Sequence, residues 1–173
     1  GFEKEQDAHR VMEVLPKRFN RFALSIHPEK TKLVRFGRPS GDDKSKRNVT
    51  FDFLGFTHFW SKSRRGNWVI KKKTMGMRVS RFVKAIWQWC RDNRHVPLKE
   101  QYKALAVKLR GHYQYYAVNH NSGALDAVRH HTYRSWQYWL SKRCHKGIVR
   151  WDYFEKLLRK KFPLPRPRIL HQI

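Results

Sequence analysis

Basic and aromatic side chains are interleaved in the second half of the sequence. Residues 76–173 carry 21 Lys and Arg against 5 Asp and Glu, and they hold five of the seven tryptophans. Cations bind phosphates and aromatic rings stack on bases, so this pattern is typical of nucleic-acid binding. The residue type alone favours a core position for any single tryptophan, whereas the charge as a whole favours a nucleic-acid partner.

Two shorter patterns refine this expectation. Residues 71–73 are three lysines that lead into Arg78 and Arg81, and such a cluster either follows a duplex backbone or is only solvated. Arg110 and Gly111 lie within a predicted helix, where a glycine costs about 1 kcal/mol relative to alanine. Something should therefore come close to Gly111: the minor groove of an A-like duplex or a neighbouring helix.

Three tyrosines follow that glycine at positions 113, 115 and 116. Helical spacing prevents all three from facing one side. We expect one or two of them to be buried and another to be exposed for stacking or phosphate contact.

Patterns of catalytic or metal-binding residues are missing from the sequence. We find no Ser-His-Asp arrangement, no glycine-rich phosphate loop and no paired carboxylates. The ten histidines, which include His130, His131 and His145, show no metal-ligand spacing, so we interpret them as polar or RNA-contacting. Cys90 and Cys144 are too few for a disulfide scaffold or a cysteine-based zinc site.

The overall composition predicts a folded protein with a polyanionic partner. The chain of 173 residues has 39 Lys and Arg against 13 Asp and Glu, a net charge of +26. Apolar residues make up 40%, too many for a disordered basic tail. No apolar run approaches the roughly 20 residues of a membrane-spanning helix, and residues 1–5 do not resemble a signal peptide. We expect an intracellular protein, in the bacterial cytoplasm or associated with the nucleoid, whose first residue Gly1 hints at a processed or truncated start.

The first part of the chain reads as mixed α+β. An amphipathic helix is predicted over residues 4–20, and residues 38–47 are predicted to be an exposed loop. The remaining elements are predicted as short antiparallel strands: 23–26, which ends before Pro28, and 32–36 and 48–54, where polar and apolar residues alternate. A hairpin of 56–60 with 68–72 is predicted through a turn at 65–67.

The second part reads as all-helical. Helices are predicted over residues 77–93, from Pro97 to Tyr116, and from an N-cap at Ser122 to Leu140, which together form a small bundle. A short fourth helix over 151–161 is followed by an extended, basic, proline-containing tail. Because a helical bundle buries its apolar stripe, its basic side chains should lie on the outer faces. These are Arg78, Arg81, Lys84, Lys103, Lys108, Arg110, Arg129, Arg134, Lys142 and Arg143.

Three sequence blocks, in this order, resemble the rear part of a reverse transcriptase. Residues 24–32 (LSIHPEKTK) are similar to the segment after the catalytic hairpin. Residues 51–58 (FDFLGFTH) are similar to the block that grips the primer end. Residues 108–116 (KLRGHYQYY) are similar to a run in the thumb of group II intron reverse transcriptases, the maturases. The resemblance covers about residues 1 to 145.

The resemblance implies a domain organisation and a set of site residues. Residues 1–75 would be the C-terminal part of the palm with its primer-grip hairpin, 76–145 the three-helix thumb or maturase domain, and 146–173 a basic extension. Lys30 would approach the phosphates of the incoming nucleotide, as a candidate general acid, although a solvated turn lysine fits the residues equally well. The other implied nucleic-acid contacts are Gly55, Phe56, His58, Lys71, Lys72, Lys73, Arg78, Arg81, Lys108, Arg110, Gly111, Tyr115 and Arg134.

Two of these residues have a second interpretation. Gly55 allows either a close approach of the primer backbone or a bulge that bends the strand. The residue type of Phe56, like that of Phe53, favours the core over a contact with the primer.

The family's Tyr-Ala-Asp-Asp signature should lie just upstream of Gly1 and is absent. We therefore expect no cofactor on this chain, Mg²⁺ only in the complete polymerase, and no polymerase activity by this chain alone. The upstream fingers and palm, as part of the same polypeptide, are an expected partner. Residues 146–173 show no His- and Cys-rich endonuclease pattern, so we expect a chain that resembles the endonuclease-less maturases.

The resemblance implies a protein that clamps the template–primer duplex and binds intron RNA for splicing and reverse transcription. Two alternatives remain open. One is a stand-alone, non-catalytic RNA-binding or splicing protein derived from such an enzyme. The other is a reverse transcriptase recruited to antiviral defence or CRISPR adaptation, with the same palm and thumb.

Overall fold

The chain folds as a mixed α+β protein. The computed structural model describes residues 1–39, 49–143 and 147–171. They form two compact units, Gly1–Gly37 and Arg38–Ile173. The predicted domain boundaries after residues 75 and 145 fall within the second unit and stay predictions. The predicted loop over 38–47 lies almost wholly outside the described residues, as do Cys144 and His145.

The first unit begins with helix α1, Glu5–Asn20, which confirms the predicted helix. The strands predicted over 23–26 and 32–36 are wrong, because neither segment has strand structure. The chain turns instead at Ala23, whose φ is +54°, and the N–H of Leu24 donates to the carbonyl of Phe19 at 3.1 Å. Alternation shows which residues could share a face, but a strand also needs a neighbouring strand to pair its backbone groups.

The second unit begins with an antiparallel sheet in the order β1-β2-β3. Its strands are β1 (Thr50–Phe53), β2 (Phe56–Lys62) and β3 (Trp68–Thr74). The predicted strand and hairpin are confirmed, with β2 and β3 each two residues longer than expected. Leu54 and Gly55 alone connect β1 to β2, with φ of +48° and +82°. Two positive φ values give the turn type whose twist matches that of paired strands.

Three helices follow the sheet, as predicted: α2 (Gly76–Asp92), α3 (Leu98–Tyr116) and α4 (Ser122–Ser141). Pro97 precedes the first residue of α3, and Asn121, rather than Ser122, occupies the N-cap position of α4. No helix among the described residues is long and apolar enough to cross a membrane. The helices share one core, whose most fully buried side chains include Ile86, Leu105, Leu109, Leu125, Val128 and Trp136.

A buried amide connects the α2–α3 loop to α4. Gln101 is 1% exposed, and its Nε2 donates to the carbonyls of Asn93, Arg94 and Val96 at 3.0, 3.1 and 2.7 Å. Its Oε1 accepts from Trp136 Nε1 at 2.7 Å. A loop that carries no regular structure is thereby fixed to the core, since buried carbonyls need hydrogen-bond partners.

The C-terminal residues complete this core. The predicted fourth helix is present as α-helical turns at Trp151–Tyr153 and Arg159–Lys161 around a π-helical stretch, Phe154–Leu158. The following tail has no helical structure over residues 163–170 and buries Leu164, whose N–H donates to Tyr133 Oη at 2.6 Å. The N–H groups of Leu170 and His171 both donate to the carbonyl of Ala117. The tail therefore packs on α3 and α4.

A second buried amide connects the sheet to the helices. Asn121 Oδ1 accepts from the Thr74 N–H at 2.8 Å, and its Nδ2 donates to Thr74 Oγ1 and to the Tyr116 carbonyl, both at 2.7 Å. Asn121 and Thr74 are 1% and 4% exposed. One side chain thus fixes the end of β3 against the end of α3, and we call this group of three residues the Asn121 clamp.

The clamp predicts a large effect of a small change. Asn121→Asp replaces the two amide donors with an acceptor oxygen that faces the Tyr116 carbonyl. We expect the free energy of unfolding at pH 7 to fall by about 2–4 kcal/mol, since a buried group is left unpaired and charged. Urea unfolding followed by far-UV circular dichroism measures it, with Asn119→Asp as the matched control. Equal stability of the two variants would contradict the clamp.

Candidate nucleic-acid interface

The turn between β1 and β2 packs directly on the last turn of α3. A Cβ at Gly55 would lie 3.1 Å from Tyr116 Oη and 3.8 Å from Tyr115 Cε1. Tyr115 Oη donates to the Leu54 carbonyl at 2.8 Å. The Phe56 ring stacks on Tyr115 at 5.8 Å and meets Tyr116 edge-on at 5.4 Å. We call these five residues the hairpin–tyrosine junction.

The contacts within the junction determine which parts of its residues remain available to a ligand. The close approach that Gly55 allows is made by tyrosines of this chain, and the residue sits in a turn rather than a bulge. Tyr113 is buried and Tyr115 is 52% exposed, which confirms the split predicted from helical spacing. The hydroxyl and one ring face of Tyr115 are already engaged within the protein, so only the rest of its ring is available to a ligand.

Two of the predicted cations lie beside this junction. Arg78 and Arg81 are exposed on the first two turns of α2. The Met75 N–H donates to the Gly55 carbonyl at 3.0 Å, which holds the start of α2 against the turn. Burial raises the pKa of the Tyr116 hydroxyl, and the positive charges of Arg78 and Arg81 oppose that rise. The two arginines therefore lie on the part of α2 that the Met75–Gly55 hydrogen bond fixes to the turn.

One side of α3 carries exposed side chains and leads into the junction. It consists of exposed residues spaced three or four apart, and we call it the open face of α3: Lys103, Val107, Arg110, Gly111 and Gln114. A Cβ at Gly111 would meet no atom of the described residues within 4 Å. The neighbouring helix considered as a reason for this glycine is therefore absent from the described part of the chain. The face is about 17 Å long at helical rise, and its last residue, Gln114, directly precedes Tyr115.

The three consecutive lysines do not form one cluster. They lie on β3, where successive side chains point to opposite faces of the sheet. Lys71 Nζ donates to the Lys62 carbonyl at 3.1 Å, and Lys73 Nζ lies 5.4 Å from the centre of the Phe59 ring. Lys72 is on the other face. At most two of the three can follow the same phosphate backbone.

His58 lies opposite Lys72 on that other face of the sheet. Its ring stacks on Phe51 with centroids 4.7 Å apart and planes within 5°. Partial burial, and then the charge of Lys72, lower the pKa of His58. A neutral, stacked ring is well suited to sheet packing, so a contact of His58 with nucleic acid stays a prediction.

The remaining predicted residues make contacts with other parts of the chain. Lys108 Nζ is 5.6 Å from the Trp89 ring on the α2 side of α3, and the Arg134 guanidinium is 5.0 Å from the Trp151 ring. Lys30 belongs to the first unit, in a turn where its N–H donates to the carbonyl of His27 at 3.2 Å. Its role at a reaction site stays a prediction.

Two of the arginines predicted on outer faces have structural roles that the sequence did not indicate. Arg143 donates to the carbonyls of Arg94 and Val96, and partial burial lowers the pKa of its guanidinium. Arg129 Nε donates to the Leu164 carbonyl at 3.3 Å, which helps to hold the tail. Neither contact has a local sequence signal, because the partners lie 49 and 35 residues away.

His112 was interpreted, with the other histidines, as polar or RNA-contacting, and this is wrong. It is 7% exposed, and its ring packs between Phe82 at 4.3 Å and Tyr116 at 4.6 Å. Its Nε2 is buried without a hydrogen-bond partner among the described residues. Its position three residues after the buried Leu109 was the sequence signal for a core position.

Burial of His112 predicts a pH-dependent stability. It lowers the pKa of the ring from 6.5 to about 4. The unfolded chain therefore binds a proton before the folded chain does, so stability falls as pH falls from about 6.5 to about 4. We expect His112 to account for a loss of about 2 kcal/mol between pH 7 and pH 5. Urea unfolding at the two pH values measures it. Between pH 7 and pH 5, the free energy of unfolding of His112→Phe should fall by about 2 kcal/mol less than that of the unchanged protein. An equal fall in both proteins would contradict the assignment.

No protein family, no curated protein and no solved structure matches this chain. Among the residues described, no group of three or more His, Cys, Asp or Glu side chains could hold a metal ion. The junction, the two flanking arginines and the open face of α3 are the arrangement best suited to bind a ligand, and their charge favours an anionic one.

Proposed function

We propose that this chain is the nucleic-acid-binding C-terminal portion of a group II intron-encoded reverse transcriptase/maturase, which clamps template–primer duplex and binds intron RNA. The observation that carries the proposal is the hairpin–tyrosine junction. Its members come from two of the three blocks on which the resemblance rests, and the Leu54–Tyr115 contact spans 61 residues. Two sequence blocks that resembled the family only by chance would not be expected to contact each other in the folded protein.

The chemistry of the surface supports a duplex as the ligand. Arg78, Arg81 and Arg110 supply cations for phosphates, and Gly111 lets a groove come close to the α3 backbone. An A-form helix has a wide, shallow minor groove that is recognised by shape and by its 2′-hydroxyls rather than by base sequence. The open face of α3 carries no aromatic ring among its five residues, so it suits a groove better than unstacked bases.

The first unit supports a protein partner, which the resemblance assigns to the upstream fingers and palm. Val14, Phe22 and Leu24 are 56%, 70% and 55% exposed, more apolar surface than so small a unit leaves uncovered when it works alone. A groove of about 560 Å³ in the same unit is lined mainly by apolar residues of α1 and of residues 24–28. In the complete polymerase, magnesium would stabilise the transferred phosphoryl group from the upstream part, and the described residues of this chain supply no ligand set for it.

A salt titration tests the proposal. We expect tight binding to RNA–DNA duplexes of two unrelated sequences, with the logarithm of affinity falling linearly with the logarithm of salt concentration. Arg110→Ala should weaken binding to both duplexes by similar factors, because one phosphate contact is lost. For the same reason, the slope of log affinity against log salt concentration should become shallower by about 1. The matched control is Arg65→Ala, which removes the same charge at the exposed turn between β2 and β3. Binding without salt dependence, or to neither duplex, would contradict a duplex clamp.

Gly111→Ala separates binding from stability. Alanine meets no neighbour there, so the free protein should become more stable by about 1 kcal/mol. If a duplex groove lies against this glycine, the same methyl group should weaken duplex binding several-fold. Gly123→Ala, on the first turn of α4 and equally unobstructed, is the control. A variant that gains stability and binds duplex as the unchanged protein does would show that no groove lies at Gly111.

A further inference from the structure

A second surface, on α2 and α4, exposes large aromatic side chains. Trp87 and Tyr138 are 38% and 41% exposed, and their ring centroids lie 4.7 Å apart. Both rings contact the more buried Trp139 edge-on, at 5.3 and 5.2 Å. We call these three residues the α2–α4 aromatic surface. Contact with Trp139 holds the two exposed rings in place, so little freedom would be lost when they bind a ligand.

Cations surround these rings at helical spacing. Lys84 and Arg91 lie three residues before and four after Trp87, so they flank it on the surface of α2. Lys142 lies four residues after Tyr138, with its Nζ 5.6 Å from that ring. Arg91 is paired with Asp92 at 3.1 Å, which leaves Lys84 and Lys142 as the cations of this surface without a carboxylate partner in the described structure.

We propose that the α2–α4 aromatic surface binds an unpaired RNA strand, whose bases stack on Trp87 and Tyr138 while its phosphates contact Lys84 and Lys142. Every base has a π-face, so such a platform is tolerant of sequence, and neighbouring cations follow the backbone. The choice of RNA as the strand rests on the proposed function. The inference goes beyond that function because it assigns a separate surface, with different chemistry, to unpaired nucleotides.

The pattern of residues favours a polynucleotide over a membrane surface. A helix that lies in a membrane interface has one continuous apolar face with its charges on the other. Here Lys84, Gln88 and Arg91 stand within one turn of Trp87, so the exposed ring is set among polar groups. A strand that alternates bases with phosphates matches that alternation of rings and cations.

Leucine and phenylalanine replacements test the stacking directly. Trp87→Leu and Tyr138→Leu keep apolar volume but remove the π-face, and each should weaken binding of a mixed-sequence 12-nucleotide RNA about tenfold in fluorescence anisotropy. Trp87→Phe and Tyr138→Phe should retain most of the affinity. Tyr153→Leu, at a tyrosine that is 56% exposed outside this surface, is the matched control, and far-UV circular dichroism checks folding.

The outcomes separate this inference from the proposed function. If the inference and the proposed function both hold, the leucine variants lose affinity for the single strand and keep their affinity for RNA–DNA duplex. Arg110→Ala then loses affinity for the duplex and keeps its affinity for the single strand. A chain that binds no duplex but loses single-strand binding in the leucine variants would overturn the proposed function alone. Leucine variants that bind the RNA as the unchanged protein does would overturn the inference. So would leucine variants that lose binding to phosphatidylserine-containing vesicles but not to RNA.

Discussion

The buried amide of Asn121 is the constraint on which the rest of the interface depends. It satisfies the backbone N–H and hydroxyl of Thr74 at the end of β3 and the carbonyl of Tyr116 at the end of α3. Asn121 and Thr74 are buried, so a shift of the sheet against the helices would leave several polar atoms unpaired at once. Because β2 pairs with β3 along its length, fixing β3 also fixes the β1–β2 turn against Tyr115 and Tyr116.

Because of this constraint, some residues near the turn hold the structure together and others remain exposed for a ligand. The tyrosines and Phe56 hold the hairpin to α3, and the exposed groups around them remain to meet a ligand. Those groups are the arginines at the start of α2, which is hydrogen-bonded to the turn, and the open face of α3, which leads into Tyr115. The aromatic rings of α2 and α4 lie on a different surface with its own cations. A duplex and an unpaired strand would therefore meet different chemistry on one helical bundle.

Local pattern predicted most of the elements but not their contacts. Hydrophobic periodicity placed α1 to α4 within about two residues, alternation placed β1, and the turn at 65–67 placed the hairpin of β2 and β3. The strands predicted over 23–26 and 32–36 are wrong, because a pattern within one segment says nothing about a pairing partner. At the interface, the residues of the hairpin and of the α3 tyrosine run were recognised as important. Their contact with each other was not foreseen, and neither were the structural roles of His112, Arg143 and Asn121, because those roles depend on residues distant in sequence.

Hydroxyl-radical footprinting with and without an RNA–DNA duplex tests the central claim most directly, because it measures the accessibility of individual side chains. Val107 and Tyr115 are 64% and 52% exposed in the free protein, so both should react readily without duplex. The account predicts that duplex protects both, together with the start of α2, and leaves Trp87 and Tyr138 reactive. Unchanged reactivity of Val107 in a saturated complex would contradict a duplex on the open face of α3.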